Sequence, residues 1–222
     1  MNHLAQKSIV GCLQLFIGLS VLLFVPAGTF DYWQAWVYLS VFGASVMLIF
    51  AYLYQHDPRL LERRLHRAEK DKSQQGIQLY TFMAYIGLFV LSSLDHRFSW
   101  SRVLFPEVMA GDFLLALGYF IIFLVLKANP FAATTIELMQ DQKVVSTGPY
   151  ALVRHPMYAG ALVLLLGTPP ALGSWWGWVI FMLMTFLVIR RLREEEKFLV
   201  QRLSGYQAYC NIVRYRLVPF IW

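Results

Sequence analysis

The chain has 222 residues, 58% of them hydrophobic and 14% charged, with a formal net charge of +6 and a mean hydropathy of +0.52. Soluble domains carry roughly 25% charged residues, so this composition excludes an ordinary soluble enzyme and points to a membrane protein. The two cysteines, Cys12 and Cys210, lie far apart and imply neither a disulfide framework nor a metal site.

Taken in order, the apolar runs 8–27, 33–54, 77–94 and 109–128 are each long enough for a helix across about 30 Å of hydrocarbon. The first is too long for the apolar core of a signal peptide and has no small-x-small cleavage site, so it reads as a helix. Segment 55–76 mixes both charges and reads as an amphipathic surface helix or solvated loop. Asp112, near the start of the fourth run, is expected at the membrane interface. Two shorter runs follow, 157–172 and 174–190, separated by a stretch holding Pro169 and Pro170. Two prolines should break a helix there. A C-terminal helical hairpin is expected, with arms just short of the usual ~20 residues. Gly173 and Gly177, four apart, are expected to allow close helix packing. The predicted fold is all-α: an integral membrane protein with four spanning helices plus this hairpin. It divides into N-terminal transmembrane helices, 1–128, and a C-terminal region, 129–222.

Orientation follows from the basic residues. Seventeen of the 19 fall on one side of this arrangement, and only Arg97 and Arg102 on the other. Both termini are therefore expected in the cytoplasm. Positive-inside bias and anionic headgroups account for the net charge, so no nucleic-acid partner is implied.

Chemistry concentrates in two clusters. The first is Gly148-Pro149-Tyr150-Ala151-Leu152-Val153-Arg154-His155-Pro156-Met157-Tyr158-Ala159-Gly160, directly before the fifth run. Ionisable groups at a membrane boundary are costly to desolvate and usually serve a site. Pro156 suits the opening turn of a helix, where its missing N–H costs nothing. His155 then lies beside free backbone N–H groups that suit an anion. The bland alternative is an interfacial aromatic belt with a snorkelling arginine. The second cluster is Arg190-Arg191-Leu192-Arg193-Glu194-Glu195-Glu196. Arg191 and Glu195 are four apart and share one helix face. Arg190 and Glu194 read as a surface pair. No two of the 14 glycines sit two apart, which removes a dinucleotide fingerprint. The five histidines are scattered without metal-ligand spacing.

The blocks TGPYALVRHPMYAG, REEEKFL and GYQAYCNIVRYRLVP, in this order, resemble the isoprenylcysteine carboxyl methyltransferase family, related to the phospholipid methyltransferases. The resemblance covers 129–222. It implies a cytoplasm-facing S-adenosylmethionine pocket in that region and a lipophilic or lipidated acceptor that enters from the bilayer. Carried over by position, Gln142, Lys143, Val144 and Val145 line the cofactor. Tyr150 falls on a cofactor tyrosine, and His155, Pro156, Met157 and Tyr158 on the Arg-His-Pro-x-Tyr segment. Glu195 takes the cofactor role of the Glu-Glu-x-x-Leu motif, which Glu196 and Leu199 complete. Arg191 falls on the arginine that faces substrate.

The charges fit these roles. Tyrosine rings accommodate a sulfonium by cation–π attraction. A glutamate suits the ammonium, and a helix N-terminus suits the carboxylate. Gln142 stands where eukaryotic members often have histidine. Leu203-Ser204-Gly205-Tyr206-Gln207-Ala208-Tyr209 replaces the usual Phe-Gly-x-x-Tyr ending. With the short chain, these features resemble a prokaryotic branch, placed in the plasma membrane, to which the family's substrate name does not transfer. Carboxyl O-methylation is the expected reaction. The rivals are a lipid-amine N-methyltransferase, an NADPH-dependent sterol or enone reductase, and a small transporter or scaffold. Tyr209-Cys210 and the Tyr215-Arg216…Pro219 ending resemble the reductase's C-terminal pattern, while the full Arg154-His155-Pro156-x-Tyr158 block and the Glu195-Glu196 pair favour methyl transfer. The transporter would need polar residues in mid-helix, and Gln14 and Asp112 are the main ones.

Overall fold

The structure is a computed structural model that describes residues 3–65, 72–132 and 142–222. The described residues form eight α-helices and no strand. They are α1 (His3–Ala27), α2 (Trp33–His56), α3 (Pro58–Leu65), α4 (Lys72–Phe98), α5 (Phe105–Ala128), α6 (Pro156–Ala171), α7 (Gly177–Arg202) and α8 (Tyr206–Ile212). A short 3-10 turn, Gly148–Ala151, precedes α6.

Four segments are long and apolar enough to cross a membrane: Ala5–Ala27, Trp33–His56, Gly76–Phe98 and Phe105–Ala128. They coincide with the four predicted runs. Segment 55–76 is helical over Pro58–Leu65, and residues 66–71 lie outside the described residues. In α3, Leu60 and Leu61 are buried against Leu53, Leu126 and Ala132, as an amphipathic surface helix requires. Helix α7 continues well past its apolar run, to Arg202. Glu195 therefore sits on a regular helix rather than on a loop.

The six long helices touch in the cyclic order α1, α4, α7, α6, α5, α2 and back to α1. Tyr38, Phe89, Leu115 and Leu172 belong to the apolar core inside this ring. The most extensive contact is between α5 and α6. Glycine makes it possible. Gly111 and Gly118 of α5 oppose Gly167 and Gly160 of α6, seven residues apart on each helix. A Cβ on Gly118 would stand 2.6 Å from the Leu164 nitrogen and 2.7 Å from the Gly160 carbonyl oxygen. Backbone cannot yield there, so the two helices would separate. Gly118→Val is expected to destabilise the protein by about 3 kcal/mol or more, the upper end of overpacking costs. Gly18→Ala, where an added Cβ meets nothing within 4 Å, should be nearly neutral. Thermal melting in detergent compares the two, and equal melting temperatures would refute the packing role.

Two expectations need correction. Pro169 and Pro170 do not break α6, which runs through them to Ala171. They occupy its last turn, where only the carbonyls one turn earlier lose donors, and tight burial holds that turn in place. The chain turns instead at Gly173, whose φ of +69° is left-handed and favours glycine. Gly173 therefore serves the turn, while Gly177 packs closely on Pro169. Asp112 is buried in the bundle beside Gly111, and neither carboxylate oxygen has a hydrogen-bond partner among the described residues. At the same end, Asp95 accepts bonds from the Ser101 backbone N–H at 2.7 Å and the Ser174 hydroxyl at 2.6 Å. It ties the α4–α5 connection to the α6–α7 connection.

Candidate active site

At the other end of the ring, α5 stops at Asn129, whose side chain donates to the Tyr150 hydroxyl at 2.8 Å. The 3-10 turn presents Tyr150, and its carbonyl accepts from the Tyr209 hydroxyl at 2.7 Å. The C-terminal tail runs beside the next residues. The Arg154 and His155 N–H groups donate to the carbonyls of Tyr215 and Arg216, each at 2.9 Å. Pro156 then opens α6, as its chemistry predicts.

Two glutamates of α7 face this segment and do different work. Glu195 accepts the Tyr158 hydroxyl at 2.5 Å, and Arg191 Nε donates to the same hydroxyl at 3.1 Å. Arg191 and Glu195 thus meet through a tyrosine of α6. Glu196, one residue on, takes Arg154 Nη1 at 2.7 Å and Arg216 Nε at 2.8 Å. It clamps the start of α6 and the tail to α7. Burial pushes the Glu196 carboxyl up, but its basic neighbours His155, Arg216 and Arg154 outweigh that and hold it at about 2. His155 Nε2 stands 3.9 Å from Glu196, too far for a hydrogen bond, so the arginines do most of this. Glu194 is exposed and pairs with Lys197 at 3.0 Å, not with Arg190 as the sequence suggested.

The clamp has a pH signature. A carboxyl lowered from its ordinary 4.5 to about 2 adds stability that is complete above pH ~4.5 and lost as pH falls towards 2. The contribution is on the order of 3 kcal/mol. Thermal melting between pH 6 and 2 should fall more steeply for the wild type than for Glu196→Gln, which should already be less stable at pH 6. Parallel curves would remove Glu196 from this role.

All eleven predicted positions line one cavity of about 290 Å³: Gln142, Lys143, Val144, Val145, Tyr150, His155, Pro156, Met157, Tyr158, Arg191 and Glu195. His155 contributes little to its polarity, being only 5% exposed and turned towards Glu196. Burial pushes the Tyr150 phenol up to about 12, so it is a neutral ring at physiological pH. The cavity also takes in Arg64, Asn129, Phe198, Leu203, Tyr206 and Tyr209. Phe198 stands three residues after Glu195, a spacing that could have revealed it, and Leu199 of the Glu-Glu-x-x-Leu motif lines the cavity beside it. Nothing in the sequence singled out Arg64. The Tyr206 hydroxyl is buried without a hydrogen-bond partner among the described residues. A buried hydroxyl left so is costly, and at a cavity wall it suits a polar ligand atom.

Comparison with known proteins agrees with this geography in part. The chain is 29% identical over 91 residues, 40% of its length, to the Delta(14)-sterol reductase TM7SF2 of Mus musculus. It spans about a fifth of that relative's length, 22%. Residues 106–205, from the start of α5 to the threshold of α8 and including every one of the eleven positions, match the family model described as phospholipid methyltransferase.

Proposed function

We propose that the chain is a multi-pass membrane methyltransferase that holds S-adenosylmethionine in this cavity and methylates a lipophilic acceptor, most simply at a carboxylate. The observation that carries the reading is the joining of Glu195, Tyr158 and Arg191 at one cavity wall, within the segment that matches the methyltransferase family model. Glu195 suits the ammonium of the cofactor. Tyr150 and Tyr158 suit its sulfonium, and the unpartnered Tyr206 hydroxyl suits a polar atom of the same ligand. Gln142 to Val145, with Pro156 and Met157, complete the walls.

When bound, this cofactor supplies an electrophilic methyl group on sulfur. The chain's part is alignment and exclusion of water, since in-line displacement by an ionised carboxylate needs no acid or base. Arg191 holds and orients that carboxylate. In this reading α6 and α7 form a hairpin entering from the cytoplasmic face of a prokaryotic plasma membrane. Both termini lie in the cytoplasm and the cavity opens to that side. Acceptors reach it from the surrounding lipid, the partner such a protein has by default. Single cysteines after residue 205 should label from the cytoplasm, and one at position 99 only from outside. The reverse pattern would overturn this orientation.

The sterol reductase similarity favours a second reading, an NADPH-dependent reductase, and the phospholipid methyltransferase match leaves amine acceptors open. Calorimetric titration of the purified protein with S-adenosylmethionine, S-adenosylhomocysteine and NADPH separates them. Binding of the first two without NADPH is expected. Binding of NADPH alone would replace the methyltransferase by the reductase, and binding of none would leave a transporter or scaffold.

A further inference from the structure

At the end of the ring away from the cavity, three connections of the chain are tied together. The Ser174 hydroxyl donates to Asp95 of α4 at 2.6 Å, and the Trp175 N–H to the Ser101 hydroxyl at 3.1 Å. The Tyr32 hydroxyl, just before α2, donates to the Leu172 carbonyl at 2.7 Å. Trp33 stacks on Phe105, with ring centroids 5.8 Å apart. Six of the seven tryptophans stand in these connections or within a turn of them: Trp33, Trp36, Trp100, Trp175, Trp176 and Trp178. Each of the six is between 39% and 53% exposed. Half-exposure suits an indole at a headgroup boundary, where its ring meets acyl chains and its edge meets water. The seventh, Trp222, lies at the cavity end beside Arg193 and Arg216.

Helices α4 and α5 are both long and apolar enough to cross a membrane, so the connection between them emerges at the far face. The α6–α7 connection is bonded to it and reaches the same face. Helix α6 gets there with 16 residues, about 24 Å, against about 30 Å of hydrocarbon. The shortfall falls at the cavity end. Gly118 of α5 lies against Gly160 of α6. From there α5 runs ten residues further, to Ala128, and α6 only four, back to Pro156. The start of α6 is thus about 9 Å short of the end of α5. Tyr158 and Arg191 each stand about 20 Å from the far ends of their helices. Ionisable groups at that depth need partners, and here they have them. Tyr158 is bonded to Glu195 and to Arg191, and Glu196 to Arg154 and Arg216.

We infer that α6 and α7 cross the whole bilayer, anchored by the tryptophan girdle in the far headgroup boundary, and that this suspends the Tyr158–Arg191–Glu195 wall inside the near leaflet. A wall at that depth meets an acceptor whose reactive group lies at the top of the acyl layer, as in a simple lipid carboxylate. It does not meet one carried outward beyond a phosphate. The choice of acceptor rests on the methyltransferase reading; the crossing and the depth do not.

The test uses the full chain in phosphatidylcholine vesicles. Single cysteines are placed on a Cys12→Ala, Cys210→Ala background. Trp176→Cys should react with an impermeant maleimide from the same side as Ser99→Cys and from the opposite side to Gln207→Cys. Labelling of position 176 from the side of position 207 would make α6 and α7 a re-entrant pair and overturn the crossing. The unsubstituted chain gives a second readout. Its tryptophan emission should be quenched more by lipids brominated near the headgroup than by lipids brominated near the chain ends, and the reverse order would overturn the girdle. Depth is read with a nitroxide on Arg190→Cys, an exposed position beside Arg191. It should be more accessible to oxygen than to a water-soluble nickel complex, and greater access to nickel would put the wall at solvent level. For the acceptor, kcat/KM should be tenfold or more higher for a lipid carboxylate than for the same chain with its carboxylate on an ethylene glycol spacer. Equal values would overturn the choice of acceptor. No turnover of either would sink the methyltransferase reading and that choice with it, and the labelling and nitroxide results would still decide the crossing and the depth.

Discussion

Glu195→Ala is expected to weaken S-adenosylmethionine binding by roughly 2–4 kcal/mol, because a desolvated ammonium loses its charged partner. That is about 30- to 1,000-fold in affinity. The adjacent glutamates supply the controls. Glu194 is exposed and occupied by Lys197, so Glu194→Ala should leave affinity within a few tenths of a kcal/mol. Glu196 does not line the cavity but holds Arg154 and Arg216, so Glu196→Gln should show first in stability. Three neighbouring carboxylates thus predict three different phenotypes. Titration calorimetry beside thermal melting reads them apart. Equal affinity losses at 194 and 195 would mean that the ammonium sits elsewhere.

The separation of these roles shows what could and could not be read from the chain. Hydropathy placed the spanning helices because lipid leaves a helix no alternative way to satisfy its backbone. The first turn of α6 was legible because proline and histidine before an apolar run have few other uses. Arg191 and Glu195 were legible as one face because a helix repeats at that spacing. What failed needed the partner helix. The glycines at 111 and 118 are ordinary until 160 and 167 come opposite them, and no local rule pairs positions so far apart. Asp112 lies near a helix start, and its burial depends on the direction of that face within the ring. The packing of His155 beside Glu196 depends on a tail some 60 residues later. Arg64 had no signal at all, since one arginine among several on a charged segment looks like any other.

Arg191 gives the prediction that separates acceptor chemistries. Its guanidinium already donates through Nε to Tyr158, which fixes its plane against α6. Tyr158 in turn is fixed by Glu195. A carboxylate acceptor would be met by the planar fork, two parallel bonds that lysine cannot reproduce. Arg191→Ala should therefore cut turnover on lipid carboxylates by two or more orders of magnitude at saturating cofactor, about 3 kcal/mol or more of barrier. Arg191→Lys should recover only part. The same loss must not appear in S-adenosylhomocysteine affinity, because Tyr158→Phe and Glu195→Ala report on that side of the chain of bonds. A protonated lipid amine predicts the opposite, since a nearby guanidinium repels it, and removing Arg191 should leave its rate unchanged or raise it. Product formation on a lipid-carboxylate panel and a lipid-amine panel decides between them. Full activity of Arg191→Ala on amines would end the carboxyl assignment and leave an N-methyltransferase, closer in chemistry to the family that residues 106–205 match. An equal fall on both panels would make Arg191 a brace for Tyr158 rather than a group that meets the acceptor.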